Sequence, residues 1–151
     1  QKLIGKNKVY YFNLDNNQVK EYVSLAEKTK TLEFIKKEFF IKKIYDEFIN
    51  LHLNGSLILF GSYASHTHTH KSDIDLFYIG EIRESEKNKI KEFGKNYGKK
   101  VHLTVMTFEK FDKKLAEQNS LIKEIIKNHI ILHNHDFVIH KLWRYYYERK
   151  E

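Results

Sequence analysis

The spacing of apolar positions along the chain changes several times, and each change marks an element. Val9 to Leu14 is aromatic and β-branched and reads as a strand. Gly5-Lys6-Asn7-Lys8 ahead of it reads as a hairpin turn, so residues 2–14 are expected to form a two-stranded ribbon. From Asn16 to Leu53 there is neither Gly nor Pro. Val19, Tyr22, Val23 and Ala26 recur at helical spacing there, as do Leu32, Ile35, Phe39, Ile41, Ile44, Phe48 and Ile49. The pattern predicts one long helix, or two joined near Thr29–Thr31 with Thr31 as an N-cap. Its aromatic stripe (Phe34, Phe39, Phe40, Tyr45, Phe48) is assigned to the core, and Asn54-Gly55 to a helix C-cap.

Two apolar runs follow, Leu57–Phe60 and Ile74–Ile79, both strand-like. Glu81–Tyr97 is loosely helical in spacing and is closed by Gly94 and Gly98. Val101–Thr107 alternates as a third strand. Phe108–Gln118 and Leu121–Asn128 are amphipathic helices, the second with Ser120 as its expected cap. Ile130–Leu132 reads as an edge strand and Asp136–Arg149 as a final helix bearing Trp143 and Tyr145–Tyr147. This order predicts an α/β (α+β) fold, a mixed sheet flanked by helices, with an N-terminal ribbon and a long helix before it. Two units are expected: residues 1–30, the ribbon and a linker helix, and residues 31–151, the main domain.

Composition narrows the class. A chain of 151 residues suffices for one domain with an appendage, and can bury about 70% of its unfolded surface without staples. With no cysteine, a disulfide framework and a thiolate metal site are both excluded, and a reducing cytoplasm is the expected setting. No apolar run reaches the roughly 18 residues of a membrane span, so no membrane partner is expected. The net charge of +7 favours polyanions, whether nucleic acid or triphosphate, although most of the lysines read as a solvated surface.

The candidate chemistry lies in LILFGSYASHTHTHKSDIDLFYIG, from Leu57 to Gly80. Asp73 and Asp75 are two apart at the head of a strand. On alternating faces at about 3.3 Å per residue they project from one side, roughly 6–7 Å apart. Paired carboxylates on a buried-looking strand repel each other and are expensive unless a cation joins them. An oxygen-only pair suits Mg²⁺, which takes one or two carboxylates and completes its shell with water and substrate phosphates; Mn²⁺ is compatible. Gly61-Ser62 supplies the other half. The glycine lets the backbone turn close to a ligand, and the residues after it open a short helix whose free N–H groups suit phosphate. Lys71 and Ser72 in the returning arm are further candidate nucleotide contacts. The plainer alternative, a Gly-Ser turn before a solvated acidic strand end, gives the paired aspartates no structural purpose. Ser62 lies in Gly-Ser-Tyr, so no esterase elbow is indicated, and there is no Walker A sequence.

Gly61-Ser62, ten residues and then Ser72-Asp73-Ile74-Asp75-Leu76 resemble the signature of the nucleotidyltransferase superfamily, Gly-Ser followed by Asp-x-Asp. The ten-residue spacer is similar to that of the minimal nucleotidyltransferase (MNT) branch. The resemblance covers about Phe34 to Trp143 and is sharpest over Leu57–Ile79. It implies a nucleotidyltransferase-like domain over residues 31–151, an NTP substrate, ATP by expectation, and Mg²⁺ held by Asp73 and Asp75. It also implies transfer to a protein acceptor, as in antitoxins that adenylylate a partner toxin of the HEPN type. The stretch GKNKVYYFNLDNN separately resembles the wing and last strand of a winged helix-turn-helix. That implies a DNA-binding element upstream and makes residues 1–30 its remnant; an ordinary N-terminal hairpin is the alternative.

Two departures from the family pattern matter. A third acid often comes from the next strand, but the matching position in VHLTVMT is His102. Val101, Leu103 and Val105 are expected on the core side, with His102, Thr104 and Met106 opposite. Neutral imidazole is a poor Mg²⁺ ligand. His102 is therefore read as the base for the attacking hydroxyl, as the mark of a domain that transfers slowly or not at all, or as a plain histidine at a sheet surface. The family often has an arginine soon after Gly-Ser, and here the third residue after Ser62 is Ser65. Lys71 or a histidine is the expected substitute. His66, His68 and His70 would share a face if extended, and three imidazoles can hold Zn²⁺; as spacer residues they are instead expected in a mobile loop.

Two functions remain. One is a Mg²⁺-dependent enzyme transferring a nucleoside monophosphate to a macromolecular hydroxyl. The other is a DNA-binding regulator, a homodimer in one form, that uses a weakly active or inactive nucleotidyltransferase domain as nucleotide sensor or dimeriser.

Overall fold

The computed structural model of the chain describes residues 2–4, 7–9 and 13–147. Strands β1 (Lys2–Ile4) and β2 (Asn7–Val9) pair antiparallel, with Lys2 opposite Val9. Asn7-Lys8 therefore belongs to a strand and not to the turn. Gly5-Lys6 and Tyr10–Phe12, and the expected helix end at residues 148–149, lie outside the described residues.

Helix α1 (Asn17–Lys37) starts where the Asn16 side chain accepts from the Gln18 N–H, and runs through residues 29–31 unbroken. The joint lies at Glu38 (φ −106°, ψ 89°), after which α2 (Phe39–Ile49) begins. Thr31 is thus not a cap. It is buried, donating its hydroxyl to the Ile131 carbonyl (2.7 Å) while His135 Nε2 lies 3.1 Å away. Such a hydroxyl satisfies a packed surface, which helical spacing cannot reveal. The turn at Glu38 redirects the chain so that Phe34 and Ile35 of α1 and Ile41, Ile44 and Phe48 of α2 all join one core.

Next come β3 (Ser56–Phe60), the short helix α3 (Gly61–Ala64), β4 (Ile74–Ile79), α4 (Glu84–Lys95) and β5 (Val101–Met106). They are followed by α5 (Phe108–Ala116), α6 (Ser120–Lys127), β6 (Ile130–His133) and α7 (His135–Tyr147). The four longer strands form a mixed sheet in the order β5-β4-β3-β6. β3 is antiparallel to both neighbours, whereas β4 and β5 are parallel, since α4 crosses between them. Every residue of β3 is buried, which explains its unbroken apolar run.

Each sheet face carries its own core. Leu57, Leu59, Ile74, Leu76 and Tyr78 pack with Ile41, Ile44, Phe48 and Ile90 on one side. Ile58, Phe60, Phe77 and Ile79 pack on the other side with residues of α5, α6 and α7. Two expected caps shift. Asn119, not Ser120, caps α6 through its side chain and the Leu121 N–H. α2 ends at Asn50, well before Asn54-Gly55. Gly55 instead lies buried under Tyr78, whose hydroxyl accepts from the Gly55 N–H at 2.9 Å.

Candidate active site

At one end of the sheet the termini of three adjacent strands come level. Phe60, last in β3, pairs with Asp75 in β4, and Asp75 pairs with His102 in β5. Gly61 follows Phe60 directly. Its φ of +68° is a left-handed conformation that glycine adopts without strain. A Cβ there would lie 2.5 Å from Asp75 Oδ2, so the carboxylate occupies the space a side chain would need. Two independent constraints thus select glycine, and both come from the turn leading into α3.

Asp73 stands one residue before β4, with Asp75 inside it. The buried Ile74 between them joins the first core, so both aspartates leave the opposite side of the strand. His102 Nε2 lies 3.0 Å from Asp73 Oδ2. An ionised carboxylate only accepts, so the imidazole donates from Nε2 and keeps its lone pair on Nδ1. Both side chains are nearly half exposed (48% and 43%), which leaves them open to a substrate. Burial pushes the Asp75 carboxyl above its ordinary range; His102 opposes that shift, while the charges of Asp73 and Glu124 add to it. A crowded carboxylate with too little positive charge nearby is a place where a cation would be favoured.

Ser62 is half-buried in α3, and its carbonyl accepts from the Thr67 N–H at 2.9 Å, folding the spacer back over the helix. The N–H groups of a first helical turn have no partner within the helix. Ser72 Oγ accepts from the Thr69 N–H (2.9 Å) and so closes the returning arm, while Lys71 is exposed on it. The three spacer histidines do not converge. His66 packs on Phe34, with ring centroids 5.6 Å apart. His68 stacks on Tyr63 at 4.0 Å, with Nε2 3.5 Å from Glu38 Oε2, and His70 is exposed. Alternation predicted a shared face only for an extended segment; here turns and ring contacts separate the imidazoles.

Among the described residues, no group of three or more His, Asp or Glu side chains is arranged to hold a metal ion unaided. The donor set therefore suits a cation that arrives with much of its shell supplied by phosphate and water, as Mg²⁺ does. It does not suit a resident Zn²⁺, which asks for three or four protein ligands. Glu124 escaped the sequence reading because it is one of several polar residues on an amphipathic helix. Only the packing of Ile122 and Ile125 shows which way that helix lies on the sheet. No helix among the described residues is long and apolar enough to cross a membrane.

Compared with known proteins, residues 41–133 match a family model described as a nucleotidyltransferase domain. No curated protein sequence matches the chain. Among solved structures, one titled "Crystal structure of the toxin-antitoxin with AMP-PNP" is similar, with 14% identity and a TM-score of 0.47. The likeness covers 70% of this chain and 86% of that one.

Proposed function

The chain belongs to the nucleotidyltransferase domain family, and from that premise we propose that it transfers AMP from ATP to a hydroxyl of a macromolecular acceptor in a Mg²⁺-dependent reaction. The observation that carries this reading is the row Phe60, Asp75 and His102 across three strands, which sets the Gly61 turn after Phe60 beside both side chains, with Asp73 in contact with His102.

Asp73 and Asp75 are the residues that would hold Mg²⁺, Asp73 keeping one oxygen for His102. Bound Mg²⁺ neutralises phosphate charge and orients the α-phosphate for in-line attack. The Gly61-Ser62 turn offers backbone N–H groups of α3 to the distal phosphates, and the absent Gly61 side chain lets Asp75 stand against that turn. Lys71 and Ser72, just ahead of Asp73 on the returning arm, are the further nucleotide contacts of this reading. In transfer, the acceptor oxygen bonds to the α-phosphorus, the bond from that phosphorus to the bridging oxygen breaks, and pyrophosphate leaves. The hydroxyl proton passes to His102 Nδ1. Asp73 fixes the tautomer that makes this nitrogen basic, and its charge stabilises the imidazolium that forms.

No base-reading or acceptor-binding element is identified in the described fold, so the acceptor is supplied by a second macromolecule. A HEPN-type toxin is the partner implied by the motif. A second reading is favoured by one observation, the imidazole where the family often has an acid: a nucleotide sensor within a DNA-binding, homodimeric regulator.

The deciding experiment incubates the protein with α-labelled ATP, Mg²⁺ and candidate acceptors, beside calorimetry with a non-hydrolysable analogue. Label on an acceptor, lost in Asp73→Asn/Asp75→Asn, supports transfer. Tight Mg-dependent binding without label on any acceptor supports the sensor. No binding at all would overturn both.

A further inference from the structure

Lys99 stands just before β5 and is only 8% exposed. Lysine is rarely buried without a carboxylate, and among the described residues none forms an ion pair with it. Its Nζ donates to the His70 carbonyl at 2.7 Å. The same ammonium lies 5.7 Å from the centre of the Tyr63 ring and 4.9 Å from that of Phe40, within reach of cation–π attraction. Its backbone is fixed as well. The Lys99 N–H donates to the Gly94 carbonyl at 2.8 Å, and Gly94 has no room for a side chain against the Lys99 carbonyl.

Two of the three groups its ammonium faces bracket the spacer. Tyr63 follows Ser62 in α3, on the outgoing arm. His70 precedes Lys71, Ser72 and Asp73, on the returning arm. Next to it, the Lys100 carbonyl accepts from the Ile74 N–H at 2.9 Å. Lys99 and Lys100 together therefore hold the chain on both sides of Asp73, and Lys99 alone reaches α3 as well. Pairing of Phe60 with Asp75 fixes the strand ends, and short turns fold the spacer locally, but Asp73 stands ahead of β4 on the returning arm, where Lys99 is the side chain that ties that arm to α3.

We propose that Lys99 is a positioning residue. Its buried ammonium joins α3 to the returning arm and sets the placement of Asp73 relative to the Gly61-Ser62 turn. The proposal rests on the nucleotidyltransferase reading of that site for its consequence, but not for its structural part.

The test uses Lys99→Met, which keeps the stem packed on the two rings and removes the charge and its hydrogen bond, and Lys99→Arg, which keeps the charge. Amide hydrogen exchange over residues 63–73 and affinity for a Mg-bound non-hydrolysable ATP analogue are measured for both. Lys99→Met is expected to fold cooperatively. Exchange should rise tenfold or more in residues 66–73 and change little in β3, while affinity falls about tenfold; Lys99→Arg should restore much of both. Unchanged exchange in Lys99→Met would overturn the proposal whatever the ligand does. Faster exchange with unchanged affinity would also overturn it, since the tie would then not position the site. If the wild-type protein itself fails to bind the analogue, the functional reading fails. The tie is then judged on the exchange alone, by whether the increase is confined to the spacer.

Discussion

His102 lies in β5 and Asp73 one residue before β4, 29 residues apart, yet their side chains meet at 3.0 Å. The parallel register of β4 and β5 brings this about by setting His102 beside Asp75, two residues along from Asp73. The pair has the form of a base held by a carboxylate. His102→Gln removes the base and is expected to lower transfer by about 10²-fold or more, the usual contribution of a positioned general base. Affinity for Mg-ATP should change by less than about threefold, because Asp73, Asp75 and the Gly61 turn, the groups proposed to hold the metal and phosphates, are all retained. Activity that survives in His102→Gln at the wild-type level would exclude His102 as the base.

Two glycines separate the site from the fold. Gly61→Ala meets Asp75 Oδ2 and forces an L-residue to φ +68°, a conformation costing about 1–2 kcal/mol. Gly55→Ala drives its methyl into the Tyr78 ring and the Ile79 carbonyl; overpacking of that kind costs about 1–3 kcal/mol. Both should lower the unfolding midpoint in urea. Only Gly61→Ala should also displace Asp75 and cut nucleotide affinity in protein that remains folded. Comparable affinities for the two folded variants would remove the argument for a phosphate cradle at Gly61.

The same two glycines show what the sequence could and could not convey. Gly61 was legible because a strand-like run, Leu57–Phe60, ended on it and an Asp-x-Asp strand followed. Local period and local chemistry agreed there, and the register then set Asp75 and His102 side by side. Gly55 was misread as a cap since Asn-Gly after a helical run usually is one. Its real constraint comes from Tyr78, 23 residues later, and only the antiparallel register reveals it. Thr31 fails for the same reason, its partner Ile131 lying 100 residues away. Lys99 was invisible among its neighbours Gly98 and Lys100, because a lysine beside another lysine reads as surface. The spacer histidines would share a face only in an extended segment, and the turn at Thr69–Ser72 breaks that geometry.

Stability should fall on acidification, and the cause can be placed. Burial holds His129 and His135 below the ordinary histidine value of 6.5; Lys28 adds to the shift of His135, and Glu27 opposes both shifts. In the unfolded chain these groups take up protons near their ordinary value, while the folded chain resists. Below about 6.5 the unfolded state therefore binds more protons, and the stability present above that value is lost as pH falls toward the lowered folded values. Thr31 Oγ1 lies 3.1 Å from His135 Nε2, so moving the ring out to water also gives up that contact. Urea midpoints measured between pH 8 and pH 5 should decline, and the decline should be shallower in His129→Gln. Equal slopes in the two proteins would assign the acid sensitivity elsewhere.

Asp75 has the opposite sign and gives the sharpest separation of folding from function. Its folded pKa is raised by burial first, with Asp73 and Glu124 adding to it. A carboxyl raised in this way favours folding only while protonated, so its ionised form opposes the apo fold at neutral pH. Asp75→Asn is nearly isosteric and removes that charge, and the apo protein is expected to unfold at an equal or higher temperature. The same substitution removes one of the two carboxylates proposed to hold Mg²⁺, so Mg-dependent nucleotide affinity should fall by tenfold or more. Asp73→Asn should not show the same gain, because it weakens the contact with His102 as well as relieving repulsion. Saturating Mg-ATP should then invert the order, stabilising wild type above Asp75→Asn through binding to the native state alone. Thermal melts of both proteins with and without Mg-ATP measure all of this at once. If Asp75→Asn melted below wild type without ligand and shifted as far with it, Asp75 would be a structural acid and the proposed cation site would lie elsewhere.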